Sequence, residues 1–136
     1  MSRARAESRS PLTFLAFDFG ARRVGVATGN ALTRTATPLI TITADGDARL
    51  DAIAALIAEW RPDALVVGVP FHPDGAAHAN TARARRFGRT LQERFGLPVH
   101  EIDERYTTTA AKSAGSADLD AAAAAIILGQ HLAGLA

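Results

Sequence analysis

The sequence predicts an α/β domain: a five-stranded mixed sheet, three strands antiparallel and then two parallel, flanked by helices. Two short runs, Leu12 to Phe17, in which five of six residues are apolar, and Asp63 to Pro70, with its unbroken apolar centre, have the length and composition of buried strands. Between and after them lie segments with helical spacing of their apolar residues, which supply the crossovers that parallel strands require.

The first run ends in a lone carboxylate, Asp18, which places an acid at the carboxyl end of a sheet strand, where open α/β sheets bind their ligands. Gly20 permits a tight reversal, and Val24-Gly25-Val26-Ala27 reads as the returning strand of a hairpin. An acid at the edge of a core must be solvated, paired or bound to metal, and pairing with Arg22 or Arg23 is the plain alternative to a functional role. Pro38 to Thr43 alternates apolar and polar as a half-exposed third strand does, after a polar turn over Asn30 to Ala36.

Asp45-Gly46-Asp47 offers an N-cap, and Leu50, Ile53, Ile57 and Trp60 recur at helical spacing until Pro62 stops the helix, so all four are expected to pack on the sheet. The second buried strand, within Asp63 to Pro70, runs parallel to the first, and its exit loop through Gly75 falls on the same edge as Asp18. Ala79 to Phe95 is an amphipathic helix with Ala84, Phe87, Leu91 and Phe95 on one stripe and Arg83, Arg86, Arg89 and Arg94 largely away from it. Gly96 ends it, and Leu97 to Ile102 reads as an edge strand, with Pro98 near its start donating no ladder hydrogen bond.

That strand runs into Asp103 and Glu104, whose side chains would point to opposite faces, so only one of them is expected to join Asp18. Thr107-Thr108 can begin a short helix. The last helix starts between Ser116 and Asp118 and reaches about Leu132. Asp118 suits its cap, whereas Asp120 shares a stripe with Ala123, Ala124, Ile127 and Leu128, the face that must turn inward. Solubility alone does not put an acid there.

At 136 residues the chain is expected to be one domain over residues 12–136, preceded by a disordered tail over 1–11. The net charge of +1 does not mark the whole molecule as a polyanion binder. Among its 15 basic residues only Lys112 is lysine, and arginine suits bidentate phosphate contacts, although alanine and arginine enrichment also follows from genomic base composition. The absence of cysteine excludes disulfides, thiolate metal sites and cysteine nucleophiles. His72 and His78 have no metal-helix spacing. The apolar run before Asp18 is too short for a signal-peptide core or a membrane span, so the default is a cytoplasmic protein with no membrane partner.

Acids at the ends of the first and last strands and on the last helix have one economical use if they converge. Hard oxygen ligands with open positions suit magnesium or manganese, and such ions activate water and stabilise the leaving oxygen in phosphodiester cleavage.

The sequence resembles the bacterial YqgF family, described as pre-16S rRNA nucleases and Holliday junction resolvase-like proteins with a ribonuclease H-like fold. The pieces that carry the resemblance are D-F-G-A-R-R-V-G-V-A from Asp18, V-V-G-V-P-F-H-P-D-G from Val66, the arginine-rich helix, D-E-R-Y-T-T from Asp103 and D-A-A-A-A-A-I-I-L from Asp120. The resemblance implies that Asp18, Glu104 and Asp120 are the catalytic, metal-binding acids, with Mg2+ or Mn2+ as cofactor. It implies that Arg22, Arg23 and Arg105 bind substrate phosphate, and that Gly68, Pro70, Asp74 and Gly75 shape the flanking loop. The expected activity is metal-dependent endonucleolytic hydrolysis of structured nucleic acid, foremost the 5′ end of pre-16S rRNA, with ribosomal precursor particles as partners. A resolvase-like DNA nuclease and a non-catalytic nucleic-acid-binding factor in ribosome maturation or transcription are the alternatives, and the oligomeric state is left open. The D-x-G hairpin also occurs in actin-like and sugar-kinase ATPases, but those close two such lobes around a nucleotide and this chain has room for one.

Overall fold

The structure, a computed structural model, describes residues 11–71, 74–76, 79–104 and 117–135. Residues 1–10 of the tail, His72, His78 and the proposed short helix at Thr107-Thr108 lie outside the described residues. Five strands form one sheet: β1 (Thr13–Phe19), β2 (Val24–Asn30), β3 (Thr35–Ile42), β4 (Ala64–Val69) and β5 (Val99–Asp103). Three helices accompany them: α1 (Gly46–Trp60), α2 (Thr81–Phe95) and α3 (Ala117–Ala133). The strand order is β3-β2-β1-β4-β5, with β1 antiparallel to β2, β2 antiparallel to β3, and β4 and β5 parallel to β1 and to each other. This is the mixed sheet expected from the sequence.

Alternation along the central strands sends side chains into two cores. Leu15, Phe17, Val24, Val26, Leu65 and Val67 face α1 and α2, where Ile53, Phe87 and Leu91 meet them. Phe14, Ala16, Ala64 and Val66 face α3 and its Ile127, Leu128 and Leu132. The second core has fewer large side chains and several alanines, so α3 lies close on the sheet.

The parallel register of β1 and β4 is fixed at the end remote from Asp18. Asp63 Oδ2 accepts from the backbone N–H groups of Leu12 (2.9 Å) and Thr13 (3.1 Å), and the Asp63 N–H donates to the Thr13 carbonyl at 2.9 Å. At the far end of α3, Arg34, in the left-handed region at φ 55°, donates from Nη1 to the Leu132 carbonyl at 2.8 Å. A cation on the last carbonyls of a helix satisfies an orphan acceptor and complements the helix dipole.

Several sequence expectations need correction. β3 begins earlier than Pro38 and carries that proline within it; a register shift between Val26 and Ala27 and the edge position accommodate the missing donor. Asp45 holds the N-cap position of α1 but its side chain makes no capping hydrogen bond. Trp60, expected to pack on the sheet, is 40% exposed because α1 ends there, with Arg61 in the left-handed region as its cap. Arg49, one turn before Ile53, is buried instead.

The His131 ring lies between Phe14, edge-on with centroids 5.1 Å apart, and His100, stacked at 4.9 Å. Burial first, and then the neighbouring His100, holds the His131 pKa below its ordinary value. The unfolded chain therefore takes up this proton first as pH falls, and stability is lost on descending through about pH 6.5 toward the folded-state pKa. Thermal melts between about pH 7.5 and 5.5 should show a shallower loss for His131→Gln than for wild type. An equal slope would assign the pH dependence elsewhere.

Candidate functional site

Asp18 is the penultimate residue of β1, at the carboxyl end where the sequence puts it, and it is only 3% exposed. Directly opposite it stand two glycines, Gly25 on β2 and Gly68 on β4. Residues in register on adjacent strands direct their side chains to the same face of the sheet, here the α3 face that Phe14 and Ala16 also occupy.

The two glycines are spaces that the other acids fill. A Cβ on Gly25 would stand 1.9 Å from the Asp120 carbonyl oxygen and 2.8 Å from the Ala121 nitrogen, so the first turn of α3 rests directly on that strand. A Cβ on Gly68 would stand 2.7 Å from Glu104 Cδ and 2.5 Å from Ile127 Cδ1. Glu104, one residue beyond β5 and 7% exposed, thus lies over Gly68. Neighbouring strands are about 4.8 Å apart. Asp18 therefore sits between Asp120 and Glu104, each over an adjacent strand, on one face and at one end of the sheet.

Gly68, which the family resemblance places in the flanking loop, is instead a strand residue whose missing side chain admits Glu104. Asp103 remains within β5, paired in register with Val69, and Glu104 is the more deeply buried of the two. Asp74, in the exit loop, accepts the Ala76 N–H at 2.9 Å, and Gly75 there has φ 92°. The Thr81 hydroxyl donates to the Pro70 carbonyl and ties this loop to the start of α2.

One oxygen of each acid, Asp18 Oδ1, Glu104 Oε2 and Asp120 Oδ2, is sealed from solvent. Like charges sealed from water on neighbouring strands repel one another, so the cluster is favoured by nearby positive charge. Arg23 supplies some, with Nε 2.7 Å from Asp120 Oδ2. The N–H is not directed at that oxygen as a hydrogen bond, so the contact acts chiefly by charge. Arg22 is exposed beside it on the same turn. Arg105 and the side chain of Asp118 lie outside the described residues.

No three His, Cys, Asp or Glu side chains among the described residues stand as a formed metal cage. The three acids nonetheless fit a hard divalent cation: their donors are all oxygen, each has an oxygen sealed from bulk water, and the two glycines let the Asp120 backbone and the Glu104 side chain approach closely on either side of Asp18.

Arg49 could have been suspected only from its place on the Ile53 and Ile57 stripe. Its guanidinium donates to the carbonyls of Ala44 (Nε, 2.9 Å) and Ala21 (Nη2, 3.1 Å) and lies 5.8 Å from the Phe19 ring centroid. It fixes the backbone of the β1–β2 turn that carries Arg22 and Arg23. Burial lowers its pKa, partly countered by Asp45.

A sequence profile of the RuvX family, described as Holliday junction resolvase, matches residues 12–134. The chain belongs to the RuvX family. RuvX relatives include a protein from Polaromonas sp. strain JS666, named as a candidate pre-16S rRNA nuclease, that is 68% identical over 90% of this chain and 89% of its own. A protein of the same name from Paraburkholderia phytofirmans is 55% identical over 90% of this chain and 89% of its own. Among solved structures, T. thermophilus RuvC in complex with Holliday junction substrate superposes with a TM-score of 0.54 at 16% identity, covering 89% of this chain and 93% of that one. At that identity the likeness concerns the fold, which is ribonuclease H-like. This RuvX chain is thus a member of a nuclease family, and no helix among its described residues is long and apolar enough to cross a membrane.

Proposed function

We propose that this RuvX protein is a cytoplasmic, divalent-cation-dependent endonuclease that cleaves phosphodiester bonds in structured RNA, trimming the 5′ end of pre-16S rRNA within ribosomal precursor particles. The observation that carries the reading is the row Gly25-Asp18-Gly68 across three strands, with Asp120 seated over one glycine and Glu104 over the other. Asp18, Glu104 and Asp120 would hold Mg2+ or Mn2+, which supplies Lewis-acid activation of the phosphodiester when bound. The chain's own contribution is to fix three carboxylates before substrate arrives and to keep bulk water from their inner oxygens. Arg22 and Arg23, on a turn anchored by Arg49, would hold the phosphate backbone and position it without reading bases. The names of the relatives favour RNA. The family's description supports a second reading, a branched-DNA nuclease with the same acids.

The deciding assay offers labelled pre-16S rRNA and a four-way DNA junction side by side, in Mg2+, Mn2+ or chelator. Cutting of the precursor near the mature 5′ end, abolished by chelator, is the expected result. Cutting of the junction alone would move the assignment to DNA, and binding of either without cleavage in any metal would make the protein a binding factor.

A further inference from the structure

We infer that Arg23 is a built-in rival of the divalent cation for Asp120: it neutralises the acid cluster before a cation binds and is displaced toward substrate phosphate when one does. The inference rests on the metal-site reading above and adds to it an exchange of partners at one carboxylate oxygen. Asp120 Oδ2 is sealed from solvent, and among the described residues the cation recorded against it is Arg23, with Nε at 2.7 Å. A cation taking Asp120 as a ligand must therefore displace this contact or share the carboxylate with it.

The contact is built to be exchanged. Its N–H is not aimed along a hydrogen bond, so little directional energy is lost when it breaks. The Arg23 side chain is 36% exposed against 14% for Asp120, which gives the arginine, and not the aspartate, a solvated path away from the pair. Its backbone, by contrast, is held. The turn is so tight that a Cβ on Gly20 would stand 2.6 Å from the Arg23 carbonyl oxygen, and Arg49 grips the Ala21 carbonyl beside it. A long side chain on a fixed stem can swing between two nearby anions without reorganising the loop. Asp120 has no such freedom, since the backbone of α3 at that residue rests on Gly25.

The test is Mn2+ binding to the full chain by calorimetry without nucleic acid, for wild type, Arg23→Gln, Arg23→Met, Arg22→Gln and Asp18→Asn. Melting curves establish that each is folded. Removing the rival should tighten Mn2+ binding by about threefold to fivefold in both Arg23 variants, the upper part of the usual strength of a partly exposed ion pair. Arg22→Gln, which changes net charge equally at an exposed neighbour, should stay within about twofold of wild type. Arg23 variants that bind Mn2+ no more tightly than Arg22→Gln would overturn the inference while Asp18→Asn still loses the ion, leaving the metal site intact. Saturable Mn2+ binding that Asp18→Asn retains, or its absence from wild type, would instead remove the metal site and this inference together.

Discussion

Gly25→Ala is expected to melt roughly 10 °C below wild type and to lose most nuclease activity with it. The added methyl group would overlap the Asp120 carbonyl oxygen at 1.9 Å and carbon at 2.2 Å. Both are backbone atoms of a helix, so no rotamer change relieves the clash; either α3 lifts from the sheet or β2 bends away. Lifting α3 parts Ala123, Ala124, Ile127, Leu128 and Leu132 from Phe14, Ala16 and Val66. Overpacking commonly costs 1–3 kcal/mol, and a helix displaced as a body belongs at or above about 3 kcal/mol. Gly88→Ala is the matched control, because its new Cβ would meet the Val99 side chain at 3.4 Å, an ordinary contact. Equal melting temperatures for the two variants would refute the close seating of α3 on β2.

Asp18→Asn is expected to lower cleavage by at least about 100-fold while leaving the melting temperature equal or higher. Loss of groups that merely orient a metal ligand costs 10–100-fold, so a ligand between two others should cost more. The fold should not suffer: asparagine has the same shape, and the change removes one of three like charges from a site only 3% exposed at this residue. Single-turnover cleavage with saturating Mn2+, read beside a thermal melt, checks both halves. A variant within tenfold of wild type would exclude Asp18 as a metal ligand, and a large fall in melting temperature would make its role structural.

The fold was legible where one physical rule governed a whole element. The apolar run through Phe17 and the run through Val67 could only be buried strands, and the stripe of Ala84, Phe87 and Leu91 could only turn inward. The acids were legible singly, Asp120 because a charge on an inward stripe has no packing reason to be there. That they meet on one edge was expected, but the geometry of their meeting was not legible, because it depends on register. Nothing in the sequence says that Gly25 and Gly68 flank Asp18 in the sheet, and glycine in a strand or before a loop reads as a turn former until the pairing is known. Arg49 was missed for a related reason: an arginine beside Leu50 reads as the polar side of a helix, and its burial depends on the carbonyls of Ala44 and Ala21, which only the folded chain brings to it. Trp60 was misjudged by extending a stripe to the point where the helix stops.

The seating of α3 on Gly25 also gives this enzyme a particular thermodynamic character. The helix that carries Asp120 is the one that closes the second core, so on the proposed reading binding at the site and the packing of that core are coupled. Whatever binds across Asp18 and Asp120 must bind the folded chain alone, and it raises stability by RT ln(1 + [L]/Kd), about 2.7 kcal/mol at a hundredfold excess over Kd. On the proposed reading, a rise in melting temperature would gauge which ions and nucleic acids the site accepts. The converse holds as well: any substitution that loosens the alanine-rich packing beneath α3 draws down affinity for the ligand, even from the far end near Arg34, where the same helix is fastened.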